Sequence, residues 1–356
     1  MHNLDRRELM LGVGGLSWSI SANMTVTAAH RERPFAYMMN YVTRDDFPLM
    51  KEMNVNTVLV ELDKNGRNWR ATYEAAIRHD LLIVPLIWGQ DQSIWRWNAP
   101  AKEWELSDKR YPRSIGARFI RFLLDNPRYR DQTFAIYSFH EPLAQPERTG
   151  PSRLKKFYQQ IHEEVFKGQD IRVYGEDMTF VWPRGRECLT GVLDYEIHDC
   201  YPFANPDRGR YRLFLPQGHY GGATSDLEKV LDLQRQTIEL QLKNISNARP
   251  AKNGRRPRLI LILQAFVDPT EKGLWDRMPD AEEMRTVADY MLDKLGDRLA
   301  GIAWYSFRQA ATHYTQWLHK DRYDEHHRDR WQVVAEIGKR LRSQSGSAVP
   351  MQGFAP

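Results

Sequence analysis

The run Phe139-His140-Glu141-Pro142 closes the apolar, β-prone segment 134–137. It sets a glutamate at the tip of a buried strand, and the proline stops that strand one residue later. More carboxylates stand at the ends of other apolar runs: Glu61 and Asp63, Asp91, Glu176 and Asp177, and Asp199. Two carboxyl groups converging on one bond can divide the work of breaking it. One stays protonated and acts as acid; the other is ionised and acts as nucleophile or base. Like-charge repulsion and partial burial would keep Glu141 protonated near neutral pH. Its alternative is a structural role, capping the loop that follows. Trp88, His140, His198, Tyr201, Gln264, Trp304 and Tyr305 fall at equivalent strand ends.

These groups meet only if the runs are parallel strands of one sheet. Short apolar β-rich runs at 35–40, 57–60, 82–87, 134–138, 171–174, 192–197, 259–263 and 301–305 alternate with helical patterns, among them 69–78, 112–124, 153–166, 227–242 and 329–341. Asp280 and Glu283 have the capping-box spacing that opens another helix. The alternation predicts an α/β fold, a single (β/α)8 TIM barrel. A doubly wound sheet would carry a glycine-rich turn after its first strand, and Asn40-Tyr41-Val42-Thr43 is no such turn. Pro85 sits awkwardly inside the third strand. All the strand-end groups would then face one mouth, at the C-terminal face of the barrel.

A barrel strand ending in Glu-Pro resembles the clan-A (β/α)8 glycoside hydrolases, whose fourth strand carries the acid/base in an Asn-Glu-Pro kind of motif. Here His140 stands in place of the Asn. The resemblance covers about residues 33–342 of a barrel domain expected over 30–342, and it implies hydrolysis of glycosidic bonds in a polysaccharide or oligosaccharide. Glu141 would be the general acid, and Glu176 or Asp199 the second carboxylate. His140, His198, Tyr201, Gln264, Trp304, Tyr305 and Trp88 would bind sugar. Trp304 would be the aromatic floor next to the cleaved bond. The chain departs from the family at the end of strand seven, where the nucleophilic glutamate is replaced by Gln264 in Leu263-Gln264-Ala265-Phe266. A neutral amide cannot attack. Either the second carboxylate lies elsewhere, or the chain is a non-catalytic carbohydrate-binding barrel, or Asp268 supplies the carboxylate from the loop. A scaffold barrel without a sugar ligand is the remaining reading.

The chain has 356 residues, 42% hydrophobic and 27% charged, with 11 Trp and 16 Tyr. Sugar rings offer apolar C–H faces that such aromatics cover, although any one ring is as readily core. The net charge of +5 is interspersed, which argues against a nucleic-acid partner and tolerates an anionic polymer. Residues 5–11, with Arg6-Arg7, resemble a twin-arginine export signal. A Gly/Ser-rich stretch and the small residues Val26-Thr27-Ala28 follow. Residues 1–29 are therefore expected to address export to the periplasm or outside the cell, with no membrane span. Residues 343–356 are expected to be a disordered tail. Cys188 and Cys200 make no disulfide framework, the histidines form no metal-binding spacing, and no phosphate-binding loop appears. No cofactor is expected, and the oligomeric state is not legible.

Overall fold

A computed structural model of the chain describes residues 33–63, 65–86, 95–98, 100, 103–106, 115–139, 159, 161–167, 169–176, 193–203, 210–215, 219–247, 256–269, 277–309, 314–325 and 327–346. Eight strands form one parallel sheet. They are β1 (Ala36–Val42), β2 (Thr57–Glu61), β3 (Leu82–Leu86), β4 (Ile136–Phe139), β5 (Val173–Glu176), β6 (Tyr195–Cys200), β7 (Arg258–Gln264) and β8 (Leu299–Tyr305). Their spatial order is β3-β2-β1-β8-β7-β6-β5-β4. The ends meet: Ile83 bridges Thr133 in parallel, and the Phe134 N–H donates to the Ile83 carbonyl at 2.7 Å. The protein is a (β/α)8 barrel.

Pro85 explains why this seam is so short. In a parallel ladder the bond after Phe134-to-Ile83 would run from residue 85 back to the Phe134 carbonyl, and proline has no N–H to give. Leu86 faces the other neighbour, its carbonyl accepting from the Leu62 N–H at 2.9 Å. The proline therefore costs nothing on the β2 side, and among the described residues the β3–β4 seam is a single bridge.

Alternation along each strand divides two cores. Ala36, Met38, Leu59, Val84, Ile197 and Ile262 fill the barrel interior. Tyr37, Met39, Val58, Leu261, Leu263 and Trp304 pack outward against the helices. The helices are α1 (Phe47–Glu52), α2 (Trp69–Arg78), α3 (Ile115–Asp125), α4 (Pro127–Gln132), α5 (Leu227–Asn247), α6 (Ala281–Leu295), α7 (Leu318–Asp321) and α8 (Arg328–Gly346). The predicted capping box forms: Asp280 accepts the Glu283 N–H, and Glu283 accepts the Asp280 N–H. At Gly338 of α8, a Cβ would collide with the Met53 carbonyl and the Tyr37 ring, so glycine is what lets this helix close on β1.

Several boundaries differ from the sequence expectation, among them the helix expected over 227–242, which runs to Asn247. Strand five runs 173–176 rather than 171–174, and strand six runs 195–200 rather than 192–197. The last helix continues through Gly346, past the expected end near 341. The Trp-rich segment after β3 contains an antiparallel hairpin, Trp95–Asn98 with Glu103–Leu106, and the excursion after β6 contains another, Tyr211–Leu215 with His219–Thr224. Cys200 is a free, buried thiol. Cys188, the leader 1–29 and the segment 347–356 lie outside the described residues. Among the described residues no helix is long and apolar enough to cross a membrane.

Candidate active site at the barrel mouth

Because β6 extends to Cys200, His198 and Asp199 lie inside the strand and point to opposite faces. Asp199 is in register with the interior residue Ile262, and His198 with the outward residue Leu261. Asp199 is partly exposed at the mouth end of the interior. His198 is 1% exposed and packs against α5, with Nδ1 2.9 Å from Gln241 Oε1. Burial lowers its pKa, and the bonds to Gln241 and Gln234 partly counter that. The expectation that His198 holds sugar is therefore corrected: it belongs to the helix layer.

The same parity corrects the last strand. Trp304 is 1% exposed, and its indole N–H donates to the Tyr37 hydroxyl at 2.9 Å behind the barrel wall. It is not the floor of the mouth. Its neighbour Tyr305 packs on the interior cluster and faces the opening.

Gln264 ends β7, 1% exposed, with its amide hydrogen-bonded to backbone on three sides. Its carbonyl oxygen accepts the Phe203 N–H at 3.3 Å, and its amino group donates to the carbonyls of Phe266 at 3.3 Å and Arg277 at 3.2 Å. It joins the loop after β6 to the loop before α6. Both amino hydrogens are therefore committed within the protein.

The described mouth floor is aromatic. Tyr305 meets Tyr41 edge-on at 5.4 Å, Phe266 at 5.1 Å and Tyr201 at 6.2 Å. Phe266 meets Tyr201 at 5.2 Å and stacks on Tyr314 at 4.9 Å with 20° between planes. The Tyr305 and Tyr314 hydroxyls are 3.3 Å apart. Tyr41 reaches this cluster through a break in the β1–β2 register between Met39 and Val42, with φ of 60° at Tyr41 itself. A bulge re-aims a side chain in this way. A left-handed tyrosine costs on the order of 1–3 kcal/mol and persists where its surroundings hold it. Tyr314 arrives from beyond β8, held by the short pairing of Phe266–Val267 with Gln316–Trp317 and by the Thr315 N–H donating to the Val267 carbonyl at 3.2 Å.

Carboxylates border the floor. Asp199 stands at the tip of β6, and Asp268, 4% exposed, follows Val267. Burial pushes the Tyr314 hydroxyl up to about 12, with the charges of Asp268 and Asp199 adding to the shift and the Tyr305 hydroxyl opposing it. Glu61 ends β2 in the exposed position that alternates with interior Leu59. Glu176 ends β5, its backbone in register with Ile197. Trp88, His140 and Glu141 lie outside the described residues. Two rim arginines are engaged: Arg308 makes two bonds to buried Asp46, and Arg277 is paired with Glu283. Among the described residues no group of three or more His, Cys, Asp or Glu is placed to hold a metal ion.

Of the expected sugar contacts, Tyr201 and Tyr305 meet in this cluster, and Asp199 acts electrostatically on Tyr314 beside them. Tyr41, Phe266 and Tyr314 were not singled out from the sequence. Phe266 lies two residues past Gln264, and Tyr41 immediately follows strand one; both positions are strand-end signals in hindsight. Tyr314 carries no such mark.

No family model and no curated protein matches the chain. Solved structures of similar fold include an active-site mutant of the Rhizomucor miehei β-1,3-glucanosyltransferase in complex with laminaritriose. It is 13% identical, with 76% of this chain and 86% of that one covered and a TM-score of 0.44. The GH99 endo-α-mannosidase from Bacteroides thetaiotaomicron is 12% identical, with 85% and 84% covered and a TM-score of 0.46. Saccharomyces cerevisiae Gas2p, in complex with laminaritriose and laminaritetraose, is 11% identical, with 91% and 70% covered and a TM-score of 0.47. The barrel assignment itself stands on the strand order and pairing given above.

Proposed function

We propose that the chain is an exported glycoside hydrolase that cleaves glycosidic bonds in a polysaccharide or oligosaccharide. The observation that carries this reading is the aromatic floor beside Asp199. Its rings come from the C-terminal ends of β1, β6, β7 and β8, the face on which barrel enzymes do chemistry. Rings in this arrangement cover the C–H faces of a sugar. Glu141 is the general acid. Asp199 is the second carboxylate, with Glu176 its alternative. Tyr201 and Tyr305 are sugar contacts, and Trp88 and His140 complete the set. Residues 1–29 direct export to the periplasm or outside the cell.

The neutral Gln264 at the strand-seven tip favours a second reading, a carbohydrate-binding barrel without turnover. One experiment separates the two. Purified protein is incubated with a panel of polysaccharides, and new reducing ends are counted. Release that disappears in Glu141→Gln supports the hydrolase. Release that survives in Glu141→Gln removes Glu141 from the mechanism. Retarded migration through a polysaccharide gel without release supports the binding protein.

A further inference from the structure

The Tyr201 and Phe266 rings meet at 5.2 Å in the mouth, and each stands two residues from an anchor: Phe203 follows Tyr201, and Gln264 precedes Phe266. Gln264 joins the two anchors, taking the Phe203 N–H and donating to the carbonyls of Phe266 and Arg277. These three bonds measure 3.2–3.3 Å, the long and weak end of the N–H···O range. Beside them lies a stronger clamp. Arg277 makes a forked pair with Glu283, Nη1 to Oε2 at 2.6 Å and Nη2 to Oε1 at 2.9 Å. Charge-assisted bonds of this form are roughly twice as strong as neutral ones, and two together fix the plane of the guanidinium. The guanidinium lies 5.1 Å from the Phe203 ring centre and 5.6 Å from that of Tyr211, and Nη2 also donates to the Arg210 carbonyl at 3.0 Å. Glu283 accepts the Tyr211 hydroxyl at 3.0 Å and Arg210 Nη2 at 3.1 Å as well, and the capping box seats it on the first turn of α6. Burial would raise the Glu283 pKa, but the bonds from Arg277, the Asp280 N–H and Tyr211 outweigh it and hold the carboxyl below its ordinary range. Phe203 bridges Tyr211, and the Arg212 N–H donates to the Pro202 carbonyl at 2.7 Å. The tip of β7, the segment after β6 and the hairpin that starts at Tyr211 thus converge on one ion pair.

We propose that Arg277 and Glu283 are positioning residues for the sugar site, fixing the spacing of Tyr201 and Phe266 through Phe203 and Gln264. The inference rests on the sugar reading above. An aromatic ring supports a sugar only where the C–H face arrives, and a misplacement of about 1 Å is enough to lose much of the interaction. Three long amide bonds between loop backbones are a soft support. A forked ion pair seated on a helix is a stiff one, and rigid elements are what hold a site to its working geometry. The alternative role for the pair is stability alone, as the cap of α6. The two roles differ in one respect that can be measured. A positioning pair acts through the Tyr201 ring, so its effect on binding shrinks when that ring is gone. A purely stabilising pair has no such coupling.

A double-mutant cycle on the full chain is the test. Retention is measured in affinity gels of β-glucan, mannan and xylan for the wild type, Arg277→Met, Tyr201→Ala and the double variant, and thermal unfolding establishes that each is folded. Arg277→Met keeps the length of the side chain and removes the fork. It should weaken retention about tenfold and, where the polymer is cleaved, raise KM while kcat changes by no more than about twofold. Tyr201→Ala should weaken retention at least as much, and the double variant should fall well short of the product of the two losses. Arg277→Lys keeps the charge without the fork and should recover only part of the binding. If Arg277→Met does not fold, Glu283→Gln, which keeps the capping-box spacing, carries the same cycle. Losses that multiply in full, or wild-type retention in the folded variant of the pair, overturn this inference and leave the sugar reading standing. Wild-type retention in Tyr201→Ala removes the ring through which the pair would act and overturns the inference too. Silence of the wild type on every polymer overturns the sugar reading and this inference with it.

Discussion

The Trp304 indole N–H donates to the Tyr37 hydroxyl at 2.9 Å, and that hydroxyl donates to the Val334 carbonyl of α8 at 2.6 Å. This chain of bonds fastens β8 to β1 and β1 to the last helix, entirely behind the barrel wall. The neighbouring Tyr305 lies on the other side of the same strand, among the rings of the mouth. One residue of register therefore separates a structural aromatic from a functional one.

The two are expected to respond in opposite ways. Trp304→Phe removes the indole donor and part of a buried ring, and should cost about 1–3 kcal/mol of stability while sugar binding stays unchanged. Tyr305→Ala opens a partly exposed floor, and should weaken binding about tenfold with a smaller effect on stability. Denaturant unfolding and gel retardation on the same four preparations (wild type, both single variants and the double) read this. Loss of binding in folded Trp304→Phe would return Trp304 to the site.

Gln264→Glu makes the strand-seven tip look like that of a retaining enzyme, but the surroundings of Gln264 argue against restored catalysis. The amino group now donates to the carbonyls of Phe266 and Arg277. A carboxylate oxygen there would face two acceptors in a site 1% exposed. The expected result is a loss of about 2–4 kcal/mol at pH 7, with no gain in turnover. Burial raises the pKa of the new acid, so the folded state binds its proton more tightly than the unfolded state does. The loss should shrink as pH falls and grow as pH rises. Unfolding curves at pH 5 and 8 measure it, and a variant that gained hydrolysis would refute the account of Gln264.

Asp46 and Arg308 tie the loop after β1 to the loop after β8. Burial would raise the Asp46 pKa, but the bonds from Arg308 and Thr43 outweigh it and hold the carboxyl below its ordinary range. Stabilisation of this kind is present above the ordinary carboxylate pKa and is lost as pH falls through it. Arg308 is 38% exposed, which screens the pair, so Arg308→Leu should cost about 1–2 kcal/mol at pH 7. The difference from wild type should narrow toward pH 3. A difference independent of pH would mean that the arginine acts through packing alone.

The barrel was legible because eight apolar runs and a capping box are local signals. The orientation of the site residues was not legible, because it depends on where each ladder begins. Val192 and Leu193 are apolar enough to suggest a strand start, yet β6 pairs with β7 only from Tyr195. Three residues of shift carry His198 and Asp199 from the loop into the strand, where alternation separates them. Parity likewise turned Trp304 outward. Tyr41 depends on a bulge, and Tyr314 on a pairing with residues nearly fifty positions earlier; neither is written in a local pattern.

Asp194, one residue before β6, and then Glu196 and His198 within it, follow one another at alternate positions, where a buried parallel strand is ordinarily apolar. Gln241 bridges the last two, donating to Glu196 Oε2 at 3.1 Å while its Oε1 lies 2.9 Å from His198 Nδ1. Burial raises Glu196 from 4.5 to about 7, with the Gln241 bond opposing, and it lowers His198 below 6.5. The two shifts act in opposite senses: on folding the glutamate binds its proton more tightly and the histidine binds its proton less tightly, so their contributions to the pH dependence of wild-type stability oppose each other. Each single variant exposes one half of the balance. Glu196→Gln leaves only the histidine, whose proton is bound more readily by the unfolded chain, so stability should rise with pH toward 6.5. His198→Gln leaves only the glutamate, whose proton is bound more readily by the folded chain, so stability should fall as pH rises from 4.5 toward 7. Neither slope can exceed about 1.4 kcal/mol per pH unit, the limit for one proton. Urea unfolding of the wild type and both variants at half-unit steps from pH 4.5 to 7 reads all three curves. Variants with the same slope as the wild type would show that the pair exchanges no proton on folding.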